Sequence, residues 1–158
     1  MAEPSERIKR ALMLHSMGYN CAQSVLASFA KDFSISDDSA KRISSCFGGG
    51  MRMGATCGAL SGALMVLGLA EGFDTNNPKQ KKRVEELSII LTKKWKALLG
   101  SSDCRDIIGV DVTDSIARQQ ARDQGIFDRL CPICITTGVE LAEELLLFAK
   151  GFELPIAD

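Results

Sequence analysis

The chain has 158 residues, 46% of them hydrophobic, and a formal net charge of −1. That is enough for one domain with its own core, and too little charge for a general pull on nucleic acid or an anionic membrane. Residues 1–10 mix acids and bases without an apolar segment, so no signal peptide is expected and the expected compartment is the cytoplasm.

Ser5 is placed to cap a first helix over Glu6–Met17, with Ile8, Ala11, Leu12 and His15 on one face and Gly18 ending it. Asn20 caps a second helix, and Gln23, three residues on, completes a capping box. Its apolar face is Ala22, Val25 and Phe29. Ser36, followed by Asp37 and Asp38, starts a third helix that ends near Cys46. Then come Gly48, Gly49 and Gly50, which open conformations closed to other residues. An uncharged run from Gly54 to Ala70 follows. In it Gly54, Gly58 and Gly62 recur every four residues, as do Ala55, Ala59 and Ala63. On a helix each set is a narrow stripe along which another backbone approaches closely. The run is apolar nearly all round but shorter than the roughly 20 residues of a bilayer span, which makes it the central helix of a core and not a membrane helix. Asn77-Pro78 starts a fifth helix, with Val84, Leu87, Leu91, Trp95 and Leu98 as its buried face and Gly100 as its stop. Asp103 caps a short turn through Ile108, and Thr113–Gln124 is a polar surface helix. Cys131-Pro132 opens the last helix, with Gly138, Leu141, Ala142, Leu145, Phe148 and Ala149 as its stripe, and residues 152–158 are a tail. Without period-two alternation the expected fold is all-α: one domain over residues 1–158, a bundle of about six or seven helices around a central buried Gly/Ala-rich helix.

Six cysteines in a reducing compartment suggest metal ligation or redox chemistry before disulfide stapling. Four of them, Cys21, Cys57, Cys104 and Cys131, fall in the first turn of a predicted helix. There the unpaired N–H groups and the dipole favour a thiolate, the form that attacks disulfides and binds metals. Cys46 falls at a helix C-terminus on the face of Ile43, and Cys134 on the apolar stripe of the last helix. Both read as structural. Cys131 to Cys134 spell C-x-x-C, but without the βαβ setting of a thioredoxin, without the histidine of covalent haem attachment, and without the second C-x-x-C of a strong zinc signature. His15 reads as a core-boundary residue, and the basic run Lys79 to Arg83 as a solvated face with no nucleic-acid role. Gly49 and Gly50 read as a close-packing turn or as the wall of a site. Arg52, a cation just before the helix that carries Cys57, is placed to stabilise a thiolate or a bound anion.

At Cys57-Gly58-Ala59-Leu60-Ser61-Gly62 the chain resembles the C_GCAxxG_C_C family, small proteins labelled redox-active and marked by a CGAxxG motif and four cysteines. The resemblance takes in Gly18 to Gln23, Phe47 to Gly50, Cys104-Arg105, Gly109 and Cys131-Pro132. It implies that the family cysteines are Cys21, Cys57, Cys104 and Cys131, with Cys46 and Cys134 as extras. A related region occurs in split-Soret cytochromes, which are dimeric. That implies a homodimer as one arrangement, though no covalent haem here. The expected function is therefore redox. Either the four thiolates hold an iron–sulfur cluster for electron transfer with a redox partner, or two of them cycle between dithiol and disulfide with Cys57 as nucleophile. The alternatives are a zinc or other metal-binding module built on the same four residues, and a ligand- or partner-binding helical protein whose cysteines are core.

Overall fold

The computed structural model describes residues 3–151, so the tail expected over residues 152–158 lies outside the described residues. Most helix starts follow the predicted chemistry. Ser5 accepts from the Ile8 amide at the head of α1 (Glu6–Ser16). Asn20 and Gln23 close a capping box at α2 (Cys21–Phe29), and Ser36 accepts from the Ser39 amide at α3 (Asp37–Ser44). α4 (Gly58–Glu71) is the glycine- and alanine-rich helix. Asn77 caps α5 (Pro78–Leu99) with Pro78 at its first position, and Asp114 caps α7 (Ser115–Asp123). Between them α6 (Cys104–Ile108) is a single turn behind Asp103, whose side chain, expected as its cap, makes no cap hydrogen bond, and α8 (Ile126–Ala149) closes the fold. Among the described residues there are eight α-helices and no strand, so the all-α expectation holds, with one short helix more than its upper count.

The core forms where α4 is enclosed. α2, α5 and α8 pack around it, burying Val25, Phe29, Leu60, Val66, Leu91, Trp95, Ile135 and Leu145. The small-residue stripe sets the spacing. A Cβ on Gly62 would lie 3.0 Å from the Ala22 carbonyl oxygen, and one on Gly58 would lie 3.0 Å from Phe47 O and 3.1 Å from Ala22 N. On the far side, a Cβ on Gly138 of α8 would lie 2.8 Å from Ala59 O. So α4 touches backbone on both neighbours. Burial is not complete along it: from Gly68 onward the helix emerges, and Leu69 is exposed.

One residue on each of two expected apolar faces is exposed. Leu98 is 64% exposed, on a side of α5 turned away from the core that Leu99 still touches. Phe148 is likewise exposed near the end of α8. The larger correction is at the start of α8. The helix begins at Ile126 behind Gly125 and runs straight through Pro132, so Cys131 lies in its second turn and not at a cap. The proline leaves the Asp128 carbonyl without its intrahelical partner. Phe127 and Leu130 hold the preceding turn by packing on Cys104, Ile108 and Val112.

Gly138→Ala should force α4 and α8 apart and cost roughly 1–3 kcal/mol. Gly68→Ala, where an added Cβ meets nothing within 4 Å, should instead stabilise by about 0.5–1 kcal/mol. Thermal melts of the two variants check both signs; equal shifts would show that the close approach is not limiting.

Candidate functional site

A cavity of about 810 Å³ opens beside the head of α4, and five of the six cysteines line it: Cys21, Cys57, Cys104, Cys131 and Cys134. Backbone geometry explains how they meet. Cys57 is the N-cap of α4 and Cys21 the first residue of α2, and the absent side chain of Gly58 lets those two helix heads touch. Cys104 is tied to Cys57 by an antiparallel bridge between Thr56 and Asp103. The Cys57 amide donates to Ser102 O at 2.8 Å, and the Cys104 amide to Ala55 O at 2.7 Å. Cys131 and Cys134, three apart on α8, share one helical face turned to the same cavity.

The thiols stand in two pairs. Cys134 stands beside Cys57, and Cys21 beside Cys131. The Cys134 thiol holds Cys57 below the ordinary thiol range, and the amides of Ala59 and Leu60 act the same way against burial. No cap hydrogen bond of ordinary geometry closes between Cys57 and these amides. The same pairing pushes Cys134 far up, with burial and the charge on nearby thiols adding to it. Its pairing with Cys131, then burial, raises Cys21 well above the usual range, and burial pushes Cys104 up to about 12. Among the described residues no three histidine, cysteine, aspartate or glutamate side chains are gathered closely enough to hold a metal ion.

Cys134, expected to be structural, is thus the direct partner of Cys57. The C-x-x-C was the signal, but its two cysteines do not pair with each other. Each meets a thiol at the head of another helix. Cys46, also expected on an apolar face, is exposed, as is Ile43. The third helix ends at Ser44 and the chain turns Cys46 outward in a short 3₁₀ segment, away from the cavity.

Gly49 and Arg52 line the cavity, whereas Gly50 is buried where a Cβ would lie 2.2 Å from Ala55 O, a packing position and not a wall. Gly49, Gly50, Met51 and Arg52 form a left-handed turn, with φ of 62°, 61°, 56° and 60°. For the two non-glycine residues this costs about 1–2 kcal/mol each. The turn brings Arg52 to the cavity, although Cys57 owes its lowered pKa to Cys134 and the helix amides and not to this arginine. His15 lines the cavity too, with Nδ1 3.2 Å from Tyr19 O. Sequence reasoning missed Arg118, Arg122 and Asp128, which complete the polar lining from α7 and α8. α7 reads as an ordinary solvated helix, and nothing in its own pattern marks the side that faces thiols.

A family model described as "Putative redox-active protein (C_GCAxxG_C_C)" matches residues 19–145. No curated protein and no solved structure matches the chain. Among the described residues no helix is long and apolar enough to cross a membrane.

Two outcomes follow from the thiol environments. In reduced protein near neutral pH, iodoacetamide should modify exposed Cys46 readily and Cys57 ahead of Cys21, Cys104 and Cys134. Cys134→Ala should move the pH midpoint for Cys57 labelling upward, and Cys134→Ser, which retains a donor, should restore part of the shift. Peptide mass spectrometry reads both; an unmoved midpoint in Cys134→Ala would show that Cys134 does not set the acidity of Cys57. Separately, the raised pKa of Cys104 contributes stability that is fully present below the ordinary thiol pKa of about 8.5. That contribution is lost as pH rises from there through about 12, because the unfolded chain ionises first. The alkaline fall in Tm should therefore be shallower in Cys104→Ala than in the parent.

Proposed function

This chain is a member of the C_GCAxxG_C_C family, and on that premise we propose that it is a redox protein whose Cys57–Cys134 pair cycles between dithiol and disulfide. The observation that carries the reading is the placement of Cys134 beside Cys57 in the thiol cavity, where the Cys134 thiol lowers the pKa of Cys57. It divides the labour. Cys57 is the thiol more easily ionised, and Cys134 keeps its proton until it is needed. Thiolate is the attacking form, so Cys57 is the nucleophile and Cys134 the resolving thiol.

With a disulfide substrate the Cys57 thiolate attacks one sulfur and releases the other half as a thiolate, leaving a mixed disulfide on Cys57. Cys134 then gives up its proton to the released thiolate or to solvent and attacks Cys57 Sγ. The second half leaves and takes up a proton. Two protein thiols have become one disulfide, and the substrate disulfide has become two thiols, so two electrons have moved to the substrate. An external dithiol returns the protein to its starting state by the reverse exchange. Burial serves the cycle by keeping water and other thiols from the intermediate; Cys57 is 4% exposed and Cys134 2%.

A second reading has its own support. Cys21, Cys57, Cys104 and Cys131 line one cavity, and each carried charge there raises a neighbour's pKa, a repulsion that a bound cation relieves. The donors suit zinc or an iron–sulfur cluster in kind and number. They do not fit in spacing as they stand, since no three are within reach of one ion. Anaerobic purification with metal analysis and a visible spectrum separates this reading from the first.

For the dithiol reading, reduced protein should react with 2-hydroxyethyl disulfide to give a Cys57–Cys134 cross-link, found by peptide mapping. Cys134→Ser should stop at a mixed disulfide on Cys57, and Cys57→Ser should leave Cys134 unreacted. Cross-links that join other cysteines and never these two would overturn the assignment.

A further inference from the structure

The thiol cavity carries more positive charge than the chain as a whole. Arg52, Arg118 and Arg122 line it against the single carboxylate of Asp128, while the full sequence has a net charge of −1. Ion pairs elsewhere engage Arg7, Arg10, Arg83 and Arg105 with carboxylates. The three cavity arginines form no such pair among the described residues. Arg118 gives one N–H to Val112 O at 3.4 Å, and its guanidinium is otherwise free of carboxylates. These cations come from two separate stretches, the left-handed turn before α4 and the body of α7, and they converge only around the cysteines. Arg52 is held there by a backbone conformation that side chains rarely adopt, and strain of this kind is retained where the surrounding structure has a use for it. A volume of about 810 Å³ is that of a small-molecule site.

We infer that the cavity selects small anionic disulfides, with the three arginines holding the substrate's carboxylates while Cys57 attacks its sulfur. The inference rests on the dithiol reading above and adds the substrate class to it. Guanidinium groups present paired donors that match a carboxylate, and their charge also offsets the thiolate that forms beside them. The reaction is the exchange already written, with a carboxylate-bearing disulfide as oxidant and two carboxylate-bearing thiols as products.

The test uses three disulfides of different charge: oxidised glutathione (anionic), 2-hydroxyethyl disulfide (neutral) and cystamine (cationic). Each is mixed with the reduced full-length protein, and the rate of Cys57–Cys134 cross-linking is measured at low salt. The expected order is anion, neutral, cation, with the anion ahead of the cation by about tenfold or more. The lead should shrink in 1 M salt, where charges are screened within about 3 Å. Arg52→Gln/Arg122→Gln should lower the anion-to-neutral ratio. Lys79→Gln/Lys82→Gln removes the same net charge on α5, which contributes nothing to the cavity lining, and should leave that ratio unchanged. Equal rates for all three disulfides, or a ratio moved alike by both double variants, would overturn the anion inference and leave the dithiol reading standing. Failure of every disulfide to join Cys57 to Cys134 would overturn both.

Discussion

The structure depends on how closely α4 lets other backbones approach. A helix with larger side chains at Gly58 and Gly62 would stand off from α2, and a side chain at 138 would hold α8 away from Ala59. Close packing transmits such displacements because interiors have little free volume to absorb them. The heads of α2 and α4 and the second turn of α8 would separate together, and the thiols they carry would lose one another. The CGAxxG motif is therefore a spacing device as much as a chemical one. Its cysteine supplies the sulfur, and its glycines set the distance to the sulfurs on other helices.

Given that spacing, electrostatics turns like groups into unlike ones. Five thiols around one cavity, most of them buried, cannot all ionise, since each added charge raises the cost of the next in a low dielectric. The neighbouring Cys134 thiol and the amides of α4 decide which one is favoured, and it is Cys57. Cys21, Cys104 and Cys134 are pushed the other way by their partner, their burial or both. Cys104 shows the effect of burial most simply: it begins a helix, yet desolvation outweighs the helix end and its pKa rises. Position at a helix start is thus not sufficient to make a thiolate.

Much of this was legible in the sequence where the signal is local. The caps at Ser5, Asn20, Ser36 and Asn77 rest on short-range hydrogen bonds, and each forms as its residue type dictates, whereas Asp103 takes the cap position of α6 without a side-chain cap bond. The small-residue stripe predicted backbone contact at Gly58 and Gly62 for the same reason. The start of α8 was not legible, because Cys131-Pro132 looks like a helix opening and only packing of Phe127 and Leu130 on α6 extends the helix behind it. The pairing of Cys134 with Cys57 was not legible either. It is a contact between distant segments, and an apolar stripe does not reveal that one of its members faces a cavity. Arg118 and Arg122 were invisible on the same grounds, since a polar helix gives no sign of which of its cations approaches a site.

The order in which the chain presents its cysteines has a consequence of its own. Both facing pairs, Cys57 with Cys134 and Cys21 with Cys131, join an early segment to a late one. The two cysteines nearest in sequence, Cys131 and Cys134, sit side by side on α8 and belong to different pairs. In an unfolded chain the ranking is reversed, because the entropy of closing a loop favours the shorter one. An oxidant that reaches the chain before α2, α4 and α8 have assembled therefore meets Cys131 and Cys134 as each other's nearest partners. Joining them would consume one thiol from each facing pair at a single stroke. The fold not only builds the reactive pair; by separating those two neighbours onto different partners, it also makes the timing of oxidation relative to assembly decide which sulfur chemistry the finished protein retains.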